Sequence, residues 1–145
     1  MKTSRIGVEL IKKFEGLRLV AYKPVATEKY YTIGYGHYGA DVKAGMQITE
    51  QQAEEYLKRD LVKFENSLNA LKLNVNQNQF DALISFIYNV GFGNFQRSIL
   101  LKKVQINPRD ISIKNEFMRW TYSGNKKLVG LERRRKAEAD LYFSN

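Results

Sequence analysis

The residue best placed by type and spacing to do chemistry is Glu15. It stands directly before Gly16, closing a stretch in which Ile6, Leu10, Ile11 and Phe14 recur at helical spacing. Gly is the usual residue just past a helix, which puts Glu15 on the last turn. A carboxyl at a helix end beside a sheet can be partly desolvated, and such an acid can hand a proton to a glycosidic oxygen. On type alone, a Glu before Gly is more often an ordinary surface residue.

Downstream, Tyr30, Tyr31, Tyr35 and Tyr38 make an aromatic-rich segment. Sugars lay their C–H faces on such rings, while strand alternation sends about half of them into a core. His37 is the lone histidine. Without partners it is no metal ligand, and it is expected to hold a hydrogen bond or ion pair near a cleft. Arg133, Arg134 and Arg135 form a charge run. Successive helical residues point about 100° apart, so at most one or two of them can face a cleft. One is expected to approach Glu15 and orient it. Tyr30, Tyr35, His37 and Arg133 are assigned to substrate binding.

The elements that must position these groups can be read from the pattern. Ser4 or Thr3 caps the first helix. Residues 17–40 read as strands and turns, rich in β-prone residues and punctuated by Gly34, Gly36 and Gly39. Thr49 and Gln52 form a capping box before a long amphipathic helix carrying Ala53, Leu57, Leu61, Phe64, Leu68 and Leu71. Asn76 and Gln79 form a second box before a buried helix that Gly91 and Gly93 end. A short helix is expected around Ile99–Leu101, a break at Asn107-Pro108, and helices around Ile111–Trp120 and Leu131–Phe143. The expected architecture is α+β and mainly helical. It is a single domain over 1–145, with a small β-containing lobe at about 15–48. A helical lobe at about 72–145 takes in the N-terminal helix, and the long helix joins the two. A polymer substrate would lie in the cleft between lobes.

Composition narrows the functions. Lys and Arg number 24 against 15 Asp and Glu, a net charge of +9. That charge suits nucleic acid, an anionic membrane or a bacterial wall, or merely a solvated basic surface. The basic residues are dispersed and no nucleic-acid-binding motif is present, so no nucleic-acid partner is expected. There is no Cys, hence no disulfide or thiolate metal site. No segment has the continuous apolar run of a signal peptide or a membrane span, so the chain is expected in a cytoplasm without stable membrane insertion.

Three groups of residues then resemble one family. Phe14-Glu15-Gly16-Leu17-Arg18-Leu19, Ala21-Tyr22-Lys23 and Tyr31-Thr32-Ile33-Gly34-Tyr35-Gly36-His37 form the first. Gln79-Phe80-Asp81-Ala82-Leu83 with Phe86 and Asn89-Val90-Gly91 form the second. Phe117, Arg119-Trp120, Gly130-Leu131, Arg133-Arg134-Arg135 and Glu138 form the third. Together they resemble the phage lysozymes, glycoside hydrolase family 24, over nearly the whole chain. The resemblance implies a two-lobed lysozyme fold and cleavage of the β-1,4 bond between N-acetylmuramic acid and N-acetylglucosamine in peptidoglycan. Glu15 would be the general acid, and Thr32 would help place the attacking water. It further implies a monomer needing no cofactor or metal, held in the host cytoplasm until a holin opens the inner membrane.

One departure bears on mechanism. The family pattern runs Glu, eight residues, Asp or Cys, five residues, Thr. Counting forward from Glu15 reaches Pro24, and counting back from Thr32 reaches Ala26; neither can act as a base. The segment 24–29 is also two residues longer than the pattern. Glu28 is the only carboxylate between Glu15 and Thr32. On a regular strand it would lie roughly 13 Å from Thr32, whereas an inverting hydrolase spaces its carboxyls about 6.5–9.5 Å apart. A turn at Glu28-Lys29 would bring it closer. Asp41 is a weaker candidate. The alternatives are a lytic transglycosylase using Glu15 alone, and a non-catalytic wall- or nucleic-acid-binding basic domain.

Overall fold

The structure is a computed structural model describing residues 1–145. It is a mainly helical α+β fold. Helix α1 (Arg5–Glu15) starts where the Ser4 hydroxyl accepts from the Gly7 amide, so Ser4 rather than Thr3 is the cap. The start of α1 is tied down by two carboxylates. Asp81 accepts from the Ser4 amide at 2.9 Å and from its hydroxyl, and Glu65 accepts from the Thr3 amide at 2.7 Å. At the far end Gly16 takes φ +73° and its amide closes on the Lys12 carbonyl. That left-handed residue ends the helix on Glu15 and turns the chain into the sheet.

Strands β1 (Arg18–Tyr22), β2 (Tyr31–Gly34) and β3 (His37–Gly39) form an antiparallel sheet in that order. Tyr22 faces Thr32 and Arg18 faces Gly34, so the β1 register slips between them. The middle of β1 turns instead to residues 46–48: the Ala21 amide donates to the Met46 carbonyl and the Ile48 amide to the Leu19 carbonyl, each at 2.9 Å. Simple alternation fails on β2. Thr32, Ile33 and Gly34 are all buried, because β2 is the central strand and packs on the next helix.

That helix, α2 (Glu50–Ala70), begins with the reciprocal Thr49–Gln52 box and buries Ala53, Leu57, Leu61 and Leu68. Helix α3 (Gln77–Val90) begins with the Asn76–Gln79 box, and Gln79 through Ile87 are buried without interruption. It is the axis of the core: α1, α2 and a C-terminal helix, α7 (Val129–Tyr142), pack around it. Gly91 ends α3, whereas Gly93 lies inside a one-turn helix, α4 (Phe92–Gln96). Helices α5 (Ile99–Ile106) and α6 (Ile113–Met118) complete the helical part. A small hairpin, β4 (Tyr122–Ser123) with β5 (Lys126–Lys127), precedes α7. Two-residue strands carry no periodic signal, and the sequence gives no expectation of them. No helix is long and apolar enough to cross a membrane.

Candidate active site

A depression of about 540 Å³ opens between the β2–β3 turn and the helices, lined by Glu15, Gly36, Tyr38, Arg59, Asp60, Lys63, Phe64, Tyr88 and Asn89. Four elements meet there. The last residue of α1 supplies Glu15, the turn and β3 supply Gly36 and Tyr38, α2 supplies Arg59 to Phe64, and the last turn of α3 supplies Tyr88 and Asn89.

Glu15 is held from two sides. The Arg134 guanidinium donates to its Oε2 at 2.6 Å, with the Glu15 side chain 19% exposed and that of Arg134 5%. On the other side, the backbone of Gly36 comes so close that a Cβ there would lie 2.9 Å from Glu15 Oε1. Gly36 has φ +90°, so the residue is required both for its backbone angle and for the space it leaves. Tyr88 stands beside them, its hydroxyl donating to the Tyr35 carbonyl at 2.7 Å. Burial pushes the Tyr88 phenol well above its ordinary range; the negative charges of Glu15 and Asp60 add to this and Arg134 opposes it. Tyr88 is therefore a fixed, neutral hydroxyl in the cleft wall.

Behind Glu15 lies a buried ionic cluster. Arg134 also donates through Nε to Glu138 Oε2 at 3.2 Å and through Nη2 to the Ser85 carbonyl at 2.9 Å. The Ser85 hydroxyl donates to Glu138 Oε2 at 2.6 Å. Arg135 Nε sits 2.9 Å from Glu138 Oε1, an ion contact whose alignment falls short of a hydrogen bond, so both atoms stay without one. The Arg135 Nη2 donates to Asn89 Oδ1 at 2.8 Å, and its plane lies 4.9 Å from the Phe86 ring centre. Burial raises the Glu138 carboxyl's affinity for protons, against the pull of Arg135 and Arg134. The cluster connects α1, α3 and α7 through charged groups, so the pose of Glu15 depends on all three helices.

The residues expected to bind substrate are placed unevenly. Arg134, not Arg133, is the arginine that reaches Glu15. Arg133 is exposed on the adjoining face of α7 and lines a neighbouring depression with Lys13 and Lys136. Helical geometry gives the reason: one position along α7 swings the side chain by about 100°. Tyr35 is 5% exposed and belongs to the core, so its ring is not available to a ligand. Tyr30 is half-buried and packs against Tyr38, ring centres 5.5 Å apart, and it is Tyr38 that lines the cleft. His37 donates or accepts at both ring nitrogens, to Asp60 through Nδ1 and to Asp41 through Nε2, each at 2.8 Å, and stacks on Tyr56. The Asp60 hydrogen bond above all raises its proton affinity, with Asp41 adding to it against burial. With both nitrogens engaged, His37 braces the cleft wall and has no free donor for a ligand.

Thr32 is buried in the centre of the sheet, facing Tyr22 and Tyr38. Glu28 is half-buried in the connection between β1 and β2, its amide bonded to the Val25 carbonyl at 3.0 Å. Neither lines the depression around Glu15. Asp41 is taken up by His37. The carboxylates that do line it are Glu15 and Asp60. Asp60, Tyr88 and Asn89 escape a reading of the sequence for chemistry. Asp60 lies among the alternating charges of α2, which read as a solvated face. Tyr88 and Asn89 do carry a signal: like Glu15, they sit on a last helical turn before a glycine. No His, Cys, Asp and Glu side chains gather in a metal-binding group.

With this geometry in hand, the comparisons are specific. Residues 12–138 match the family model described as phage lysozyme. The endolysin of Bacillus phage PZA is 52% identical over 145 residues, which is 99% of this chain and 56% of that protein. The chain thus spans about half the length of the curated relatives it matches. Among solved structures, the muramidase domain of SpmX from Asticaccaulis excentricus superposes with a TM-score of 0.90 at 36% identity, covering 99% of both chains. The endolysin from Escherichia coli O157:H7 phage FAHEc1 gives a TM-score of 0.87 at 40% identity, over 99% of this chain and 94% of that one.

Proposed function

This chain belongs to the phage lysozyme family, and from that premise we propose that it is the catalytic part of an endolysin. Its reaction is cleavage of the β-1,4 bond between N-acetylmuramic acid and N-acetylglucosamine in bacterial peptidoglycan. We read it as one two-lobed domain. The observation that carries the reading is Glu15 itself: a carboxyl on a helix end, held by Arg134 at 2.6 Å, at the edge of an open cleft wide enough for sugar rings. A structural neighbour described as a muramidase domain supports the same bond.

In this reading Arg134 fixes Oε2 of Glu15, and Oε1, the oxygen turned toward Gly36, carries the proton. Glu15 gives that proton to the bridging oxygen as the C1–O bond breaks. Positive charge then develops on the muramic ring. Water then adds to C1 as its proton leaves; Thr32 would place that water and Glu28 take the proton only with a shift of their hairpin toward the cleft, since neither lines it. The Tyr38 ring offers a stacking face, and the Tyr88 hydroxyl and Asn89 amide offer hydrogen bonds to sugar hydroxyls. Release to the wall by a holin, and action as a monomer, belong to the same proposal.

A second reading has its own observation. Asp60, the other carboxylate in the cleft, has Oδ2 committed to His37, and Glu28 lies outside the lining. One acid/base, Glu15, would then serve alone, and the muramic 6-hydroxyl would displace the leaving group, as in a lytic transglycosylase. The test is a mass spectrum of fragments released from purified peptidoglycan by wild type and by Glu15→Gln. Reducing-end muramic products from wild type only support the hydrolase. Products one water lighter support the transglycosylase. The absence of fragments from wild type overturns both.

A further inference from the structure

The cleft around Glu15 does not end at Glu15. A second depression, about 510 Å³, lies on its other side, lined by Phe14, Leu128, Val129, Gly130, Leu131 and Arg134, and it shares Glu15 and Asn89 with the first. A third, about 550 Å³, shares Phe14 and Gly130 with the second. The three adjoin through these shared lining residues, and the surface they form changes character along its length. It is polar around Glu15 and apolar over Phe14 and Leu131. It is cationic at its far end, where Lys13, Arg133 and Lys136 converge with a single carboxylate, Asp140.

Lys136 Nζ is already 3.3 Å from Asp140. Lys13 from α1 and Arg133 from α7 are both exposed, and neither makes a salt bridge or a side-chain hydrogen bond within the chain, although the Lys13 ammonium lies 5.6 Å from the Phe14 ring centre. The walls of that end explain the arrangement. Gly130 at the start of α7 has no side chain, and a Cβ there would meet nothing, so the passage over it stays open. Two cations on different helices without a carboxylate partner, beside the depression that takes in Glu15, are placed for an anion attached to whatever occupies that depression.

We propose that this cationic end of the groove binds an anionic substituent of the glycan strand while the sugar backbone lies across Glu15, an inference that rests on the reading of the chain as a wall-cleaving enzyme. The recognised chemistry is a carboxylate or phosphodiester borne by the strand: a stem-peptide carboxylate linked through the lactyl ether of muramic acid, or a phosphodiester of a polymer attached to the same strand. Lys13 and Arg133 bind it. Lys136, neutralised by Asp140, contributes little. The apolar floor of Phe14 and Leu131 accommodates the uncharged linkage between sugar and anion. Arg133 thereby acquires a role in substrate binding away from the scissile bond.

The experiment is sedimentation with insoluble walls at physiological ionic strength, using Glu15→Gln so that bound wall is not consumed. The same protein carrying Lys13→Gln and Arg133→Gln is compared with it. A control carries Lys102→Gln and Lys114→Gln, which removes the same charge outside the groove. Loss of two exposed pairings should weaken binding to intact walls about fivefold, with the control near the parent. Repeating the measurement on walls stripped of phosphodiester polymers by hydrofluoric acid, and on walls stripped of stem peptides by an amidase, identifies the source: the difference disappears on the walls that lack it. Equal loss in the control, or no loss in the groove variant, overturns the proposal. Fragment release by the enzyme retaining Glu15, measured in parallel, separates that failure from failure of the enzymatic reading.

Discussion

Replacing Arg134 by Met tests the idea that Glu15 is positioned from behind by a buried charge. Arg134 is 4% exposed and spends its guanidinium on Glu15, Glu138 and the Ser85 carbonyl. Met keeps much of the volume and removes every donor. Glu138, fully buried, would keep only the Ser85 hydroxyl, a long 3.5 Å hydrogen bond from Arg135 Nη2 and the poorly aligned Arg135 Nε. Breaking a buried ion pair from one side costs about 3–5 kcal/mol. For a domain of this length 1 kcal/mol moves the melting temperature by about 2–4 °C, so Arg134→Met should melt about 6–20 °C lower. At a temperature where the variant is still folded, kcat on peptidoglycan should fall at least 10-fold, because Glu15 loses its only charged partner. KM should change less, since the rest of the cleft is intact. Arg134→Lys, which keeps the charge and loses the fork, should fall between the two. Thermal unfolding followed by circular dichroism, with fragment release measured 15 °C below each midpoint, decides it. A melting shift under about 2 °C together with wild-type kcat would refute the structural and the catalytic argument at once.

Three other perturbations test separate parts of the site. Gly36→Ala forces φ +90° on an L-residue and drives a methyl to 2.9 Å from Glu15 Oε1. It should cost about 1–3 kcal/mol in a urea titration and about 100-fold in kcat, and near-wild-type kcat would show that Glu15 does not need that contact. His37 binds protons more tightly in the folded chain than its ordinary value, so its contribution to stability is complete below that value and is lost as pH rises through the folded one. The urea midpoint should therefore fall between pH 6 and pH 8.5, and His37→Gln should flatten the slope in that window; an unchanged slope in the variant would assign it to other groups. Glu28→Gln should cut hydrolysis about 100-fold or more if Glu28 takes the proton from water, with thermal stability unchanged. A wild-type rate would leave Glu15 as the acid/base on its own.

The main helices and both capping boxes are legible in the sequence because their signals are local: a side-chain oxygen three residues before its amide, and apolar residues at helical spacing. Glu15 is legible for the same reason, as a carboxyl one residue before the glycine that stops its helix. The faces of β2 are not. Alternation sorts residues only when one face meets water, and here the strand is central in its sheet and packed on α2. Tyr35, in the turn that follows β2, reads as a cleft residue and is core. The choice among three adjacent arginines is equally hidden, since it depends on the rotation of α7 about its own axis against α3, which packing sets. Asp60 reads as one more charge on a solvated helix until its partner, His37, is brought to it across 23 positions.

The buried cluster also says something about how such a site is held. A core of the same size filled with apolar groups in place of Arg134, Arg135 and Glu138 would be as stable or more so, because charges repay their desolvation poorly. Two atoms of the Arg135–Glu138 contact lack hydrogen bonds even so, a cost the fold carries. What the charges provide that hydrocarbon would not is direction. Glu138 anchors Arg134, Arg134 anchors Glu15, and Arg135 anchors Asn89, so two cleft residues are set by hydrogen bonds whose geometry is fixed three helices deep. Each member is oriented by the one behind it, and the last in the series is a carboxyl at the surface with one oxygen held and the other facing the cleft. Stability is spent where orientation is gained, which is the trade expected of residues that serve a reaction rather than a core.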